Sequence, residues 1–171
     1  YLHIKGSGNA EAPIIIGSYG DSAQPLPLIA TNGYGVWHQD YNLASLDSTT
    51  HVLRGDVSSC ILLYDVEYIE ISDIAMTNEG NFAEGENYST ADRMDRTGVA
   101  AVTQNIGTAD HIFLRNLEIR NVQGNVYNKH MCNGGIYMVC AMPKDASTGI
   151  AKYDNVLIEG CTLSNVNRWG I

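Results

Sequence analysis

The sequence predicts an all-β chain wound as a single-stranded parallel β-helix, and three observations carry that prediction. The segments IEISDIAMTN (Ile69 to Asn78), IFLRNLEIRN (Ile112 to Asn121) and VLIEGCTLSN (Val156 to Asn165) repeat at intervals of 43 and 44 residues. Each has apolar residues at its first, third, sixth and eighth places and closes on Asn, so each holds two short half-buried strands. Between the two strands the alternation slips by one residue, which demands a sharp corner. The residue at that corner is Asp73, Asn116 or Gly160, the types that best tolerate a left-handed backbone. Strands of three or four residues joined at a bend leave no room for a return turn. They must pair with their counterparts in the coils above and below.

Taken in chain order, Gly6 to Gly20 with the following PLPLIATNG reads as the first wound coil, and the first coil is expected to span about 1–36. WHQDY (Trp37 to Tyr41) opens an irregular excursion, about 37–58, and regular coils fill about 59–171. CILLY (Cys60 to Tyr64), TGVAAV (Thr97 to Val102), GGIYMV (Gly134 to Val139) and the terminal WGI supply a third strand in each coil. The inward columns are expected to be Ile69/Ile112/Val156, Ile71/Leu114/Ile158, Ile74/Leu117/Cys161 and Met76/Ile119/Leu163. Asn78, Asn121 and Asn165 are expected to stack as an amide column along the axis. The 171 residues form one β-helix domain. It is expected to be incomplete at one or both ends, because the chain opens without Met and stops where the next strand should start.

A formal charge of −9 disfavours nucleic acid and anionic membrane surfaces, and weakly disfavours a polyanionic polysaccharide. No apolar run is long enough for membrane insertion. The four cysteines show no metal-ligand spacing. Cys161 falls in a core column, Cys60 and Cys140 flank third strands and are expected to be buried, and Cys132 is the one expected to be exposed. The sequence points to no cofactor and gives no indication of Ca2+.

Long connections (79–97, 122–134, 103–111 and 140–155) crowd the flanks of the third strand while the corner stays tight. Such a distribution builds walls around a groove. Its floor is expected to be the outward residues Leu62, Tyr64, Ala100, Val102, Tyr137 and Val139. With its tight corner, Asn column and loops beside one sheet, the chain resembles right-handed parallel β-helix proteins of the pectate lyase-like superfamily. It is similar, more narrowly, to bacterial secreted β-helix repeat proteins in which phrases like DRTGV (Asp95 to Val99) and VNRWGI (Val166 to Ile171) introduce successive strands. The resemblance implies a right-handed coil, a secreted protein (extracellular or periplasmic), and a poly- or oligosaccharide partner. The pectate lyase calcium carboxylates and arginine motif have no counterpart here.

Aligned third strands place Arg96, Asn133 and Arg168 in one column and Asp95, Cys132 and Asn167 in the next. Residues two coils apart in a column lie about 10 Å apart, a spacing suited to consecutive sugar units. Arg96 and Arg168 are candidate substrate-binding residues, as a guanidinium fork suits carboxylates or vicinal hydroxyls. Asp92 and Asp95 are the candidate catalytic pair, since glycoside hydrolysis needs one protonated and one ionised carboxyl group. A salt-bridge cluster with Arg93 and Arg96 is the structural alternative. Lys129 and His130 are candidate substrate-binding residues that would also suit a lyase, which needs a base and cations beside a uronate. Tyr137 and Trp169 are candidate stacking platforms for a sugar. A glycoside hydrolase is therefore expected, with a polysaccharide lyase and a non-catalytic carbohydrate-binding or adhesin solenoid as alternatives.

Overall fold

The computed structural model describes residues 1–21, 23–40, 54–81, 94–126 and 132–171. Thirteen strands wind through it in the order β1 (Leu2–Ile4), β2 (Ile14–Ile16), β3 (Leu28–Ala30), β4 (Val36–Asp40), β5 (Arg54–Tyr64), β6 (Ile69–Ser72), β7 (Ala75–Asn78), β8 (Asp95–Thr103), β9 (Thr108–Arg115), β10 (Glu118–Val122), β11 (Gly134–Cys140), β12 (Lys152–Glu159) and β13 (Thr162–Val166). A single 3-10 turn, Ala146–Thr148, interrupts the β structure among the described residues.

Three parallel sheets result, one per face of the coil. The first runs β1-β5-β8-β11, the second β2-β6-β9-β12 and the third β3-β7-β10-β13. Every expected apolar column that the ladders cover is in register. Ile112 pairs with both Ile69 and Val156, Leu114 with Ile71 and Ile158, and Ile119 with Met76 and Leu163. Ile69, Ile71, Ile112, Leu114, Leu117, Ile119 and Met76 are fully buried in one core running up the axis. The corner behaves as its residue types dictate: Asp73, Asn116 and Gly160 have φ of 57°, 51° and 64°. Asn116 Nδ2 donates to Asp73 Oδ1 at 3.2 Å, so the corners are also linked to each other. A second left-handed column comprises Tyr68, just before β6, and His111 and Asn155, within β9 and β12. On that sheet's outer side Tyr68, His111 and Phe113 stack, and Glu70 accepts from His111 and Arg115 at 2.8 and 2.7 Å.

The amide column needs correction. Asn165 Nδ2 donates to Asn121 Oδ1 at 2.8 Å, as expected. Asn78, however, lies opposite Val122 across a register shift and is fully buried. Its amide donates to the Ser58 and Thr97 carbonyls and its oxygen accepts the Gly33 N–H. Bonds to three backbone groups replace one amide–amide contact. Asn121 donates instead to Glu79.

The first sheet departs from simple alternation. Val57, Leu62, Ala100, Val102, Cys132 and Val139 belong to a cluster separate from the axial core, whereas Cys60, Ile61, Val99 and Ile136 face the core. Two consecutive inward residues in β5 mark a bend, and Gly98 and Gly135 occupy that place in β8 and β11. A Cβ on Gly98 would lie 2.6 Å from the Gly135 carbonyl oxygen and 2.7 Å from Ile119 Cγ2. The glycine of the DRTG and GGI phrases is therefore required by close approach of the next coil. The ladder continues upward at that point, with Gly135 N–H and Ile136 N–H donating to the carbonyls of Trp169 and Gly170.

Within the stretch read as irregular, β4 pairs antiparallel with the first half of β5, Trp37 opposite Val57. β1 takes the second half of the same edge, Leu2 opposite Ile61. The long β5 thus carries two partners end to end, and β4 adds an antiparallel strand at the rim of an otherwise parallel sheet.

Candidate functional site

The outward side of the first sheet is where the loops and the candidate residues converge. The six expected floor residues do face this way, but they do not form an open floor. Leu62, Ala100, Val102 and Val139 are buried in the second apolar cluster together with Trp37, and Tyr64 and Tyr137 are partly buried against it. The reason is β4, which brings Trp37 onto this face. Its indole N–H donates to Ser59 Oγ at 2.7 Å, Ser59 Oγ bonds Thr97 Oγ1 at 2.7 Å, and the Trp37 ring meets Tyr64 edge-on at 6.0 Å. What remains, at the N-terminal end of β8 and β11, is a closed cup of side chains, an apolar base with Gln39, Asp95 and Tyr137 set around it.

Asp95 begins β8 and stands in register with Val57, so it faces the cup. It is 9% exposed. Its Oδ2 accepts the Cys132 N–H at 3.0 Å, and Oδ1 has no hydrogen-bond partner among the described residues. Burial pushes its pKa from the usual carboxylate range up to about 6. The Cys132 N–H, the Asn133 and Asn125 amides and the Arg168 charge act in the opposite direction and lose to desolvation. A carboxyl group that is partly protonated near neutrality can donate a proton to a leaving group.

Tyr137 on β11 faces the same cup and is half-buried, as alternation predicts. Its hydroxyl accepts from Gln39 Nε2 at 3.2 Å and contacts Cys132 Sγ at 3.6 Å. Cys132 corrects its expectation: it is fully buried, its thiol pushed up to about 12 by burial. Cys140, expected to be buried, is exposed, while Cys60 is buried. Among the described residues no three His, Cys, Asp or Glu side chains gather in a group able to hold a metal ion.

The Arg96/Asn133 column exists, with Arg96 N–H donating to Asn133 Oδ1 at 2.6 Å. Yet the Arg96 side chain alternates to the other side of the sheet and is buried. Its guanidinium donates to the carbonyls of Met94 and Gln123 at 3.4 and 3.2 Å, a geometry that ties two loops together and presents no fork to a ligand. Arg168 and Trp169 are exposed at the rim, with the guanidinium carbon 5.5 Å from the indole centroid. Asn167 Nδ2 donates to the Gly124 carbonyl at 3.0 Å. His38, at the far edge on β4, pairs with Asp56 at 3.1 Å on the surface. Asp92, Lys129 and His130 lie outside the described residues. The residue that sequence reasoning missed is Gln39, because nothing in WHQDY signals an antiparallel strand folded along the edge of a parallel sheet.

No protein-family model matches the chain. It is 38% identical, over 199 aligned residues, to a lacto-N-biosidase of Bifidobacterium longum subsp. longum, an alignment covering all of this chain and 12% of that protein. Crystal structures of the GH136 lacto-N-biosidase from Eubacterium ramulus, as native protein and as selenomethionine derivative, superpose with a TM-score of 0.88 at 49% identity. They match all of this chain over 27% of their own. The chain therefore spans about a quarter or less of the length of these relatives, and the match extends through every coil described above.

Proposed function

We propose that this chain forms part of a glycoside hydrolase acting on an oligosaccharide, with lacto-N-biosides as the first substrates to test. The observation that carries the reading is Asp95, a nearly buried carboxyl group raised to a pKa of about 6 on the face that also carries Tyr137. The likeness to lacto-N-biosidases supports the same reaction class.

In this reading Asp95 is the general acid. It protonates the glycosidic oxygen as the bond to the leaving sugar breaks, and positive charge builds on the ring. Asp92 is the second carboxylate, acting as nucleophile or as base toward water. The distance between the two carboxyl groups decides which, roughly 5 Å for retention and 6.5–9.5 Å for inversion. Tyr137 and Trp169 present aromatic faces to the apolar side of a pyranose, and Arg168 sits at the rim where it can donate to sugar hydroxyls. Lys129 and His130 are the remaining substrate-binding candidates.

The test is product analysis. Incubating the full chain with a chromogenic lacto-N-bioside should release the chromophore with a new reducing end. An ultraviolet-absorbing unsaturated sugar from a uronate polymer would instead show β-elimination and place the protein among lyases. Binding with no product from either substrate would make it a non-catalytic module.

A further inference from the structure

The corner between the second and third sheets is tight in every described coil but the first. Two residues separate β6 from β7, β9 from β10 and β12 from β13, whereas residues 17–27 separate β2 from β3. An insertion confined to one coil of a repeat adds nothing to the stacking of the core and commonly marks a surface where something is held. The inserted loop is pinned at several points. Asp21 Oδ1 accepts the Ala23 N–H at 2.9 Å, and the Asp21 carbonyl accepts the Gln24 N–H at 3.0 Å. Pro25 and Pro27 fix φ on the way out, and the Pro27 carbonyl accepts the Ala75 N–H of the next coil at 2.9 Å.

Between this loop and Asp73, the corner residue of the next coil, lies a cavity of about 350 Å³, inside the range of roughly 300–1,000 Å³ usual for small-molecule sites. Its lining includes Tyr19, Pro25, Pro27, Gln24, Asp21 and Asp73. Tyr19 stands wholly in solvent, so its ring loses water contact only when a ligand covers it. Neither carboxylate is paired with a cation among the described residues: Asp73 Oδ1 accepts from Asn116 and Asp21 Oδ1 from a backbone N–H. The set suits a ligand with a flat apolar face and several O–H donors, which describes a pyranose. A uronate would bring a like charge to two carboxylates with no cation to offset it.

We propose that this cavity is a second, non-catalytic saccharide-binding site that takes an uncharged sugar unit at the corner opposite the first sheet. Tyr19 covers the apolar face of the sugar, and Asp21, Asp73 and Gln24 bond its hydroxyls. The site shares no residue with the cup around Asp95 and does not depend on the role given to it. It provides a hold on glycans separate from the reaction.

The experiment is a titration of the full chain followed by nuclear magnetic resonance at the backbone amides of Tyr19, Asp21 and Gln24. The probes are three neutral disaccharides (lacto-N-biose, lactose and cellobiose) and digalacturonate. At least one neutral sugar should move all three amides to saturation by about 10 mM, and digalacturonate should bind at least about tenfold more weakly. Tyr19→Ala should weaken binding about fivefold, the loss of one ring contact, while Tyr19→Phe stays within about twofold of wild type. Asp73→Asn keeps a residue that tolerates the corner's φ of 57° and should weaken binding at least about threefold. Hydrolysis of a chromogenic lacto-N-bioside should be unchanged in all three variants. Amides unmoved by every neutral sugar, equal binding of digalacturonate, or Tyr19→Ala binding as wild type overturns the proposal. The titration reads no hydrolysis, so an inactive chain, or another role for Asp95, would count against the glycosidase reading and not against this site.

Discussion

Asp95 shows how a single residue is tuned by its surroundings. Its carboxyl group is removed from water by burial and compensated only in part by the Cys132 N–H, the Asn133 and Asn125 amides and the Arg168 charge. The folded pKa of about 6 exceeds the ordinary value of 3.8, so the unfolded chain gives up this proton first as pH rises. Stability attributable to Asp95 is thus full below about pH 4 and is lost between about pH 4 and pH 6. The size of that loss is on the order of 3 kcal/mol. Asp95→Asn removes the titration. Urea unfolding at pH 4 and pH 7 should show the variant gaining on wild type by up to about that amount. A constant difference across the range would mean that the carboxyl group is not held in this environment. The residue type was visible in the sequence, but its burial was not: it follows from β4 and from the Cys132 N–H, both contributed by distant segments.

Elements of three or four residues are held in place by their corners. The left-handed corner was legible because the alternation slips there and because Asp, Asn and Gly occupy the slipped place. Its companion at Tyr68, His111 and Asn155 was not, since Tyr and His carry no such signal and sit left-handed only because the coil geometry imposes it. The bend in the first sheet was half legible: the glycines of DRTG and GGI stood out, but not that a Cβ there would strike the next coil's backbone. Asn78 was misassigned for a related reason, as sequence position alone does not reveal a register shift between β7 and β10. Asn116→Val places a β-branched residue at φ 51° and removes the bond to Asp73. It should cost about 1–2 kcal/mol from the backbone alone, measured by denaturant unfolding, whereas Asn116→Gly should cost less. Equal losses would place the penalty in the side-chain bond instead of the corner.

At the scale of the molecule, stability is expected to be transmitted coil by coil, because each apolar column touches only its neighbours above and below. Ile112 is fully buried between Ile69 and Val156. Ile112→Ala should therefore cost about 2–5 kcal/mol, read from unfolding midpoints. The same stacking assembles the cup, drawing Trp37 and Gln39 from β4, Asp95 from β8, and Cys132 and Tyr137 from the β11 coil onto one face although they lie up to 100 residues apart, as the 98-residue separation of the Gln39–Tyr137 bond illustrates. The winding was legible in the repeats, and so was the side of the sheet on which chemistry should be sought. The antiparallel strand that converts an open floor into a cup was not, because one short polar–apolar segment is equally consistent with a loop. The measurement that bears most directly on the account is kcat/KM for a chromogenic lacto-N-bioside between pH 4.5 and pH 8, for wild type and Asp95→Asn, with circular dichroism confirming the fold. A general acid must be protonated to act, so wild-type kcat/KM should fall as pH rises through about 6, and Asp95→Asn should be at least about a hundredfold slower throughout. A variant within a few-fold of wild type, with the same limb near pH 6, would contradict it.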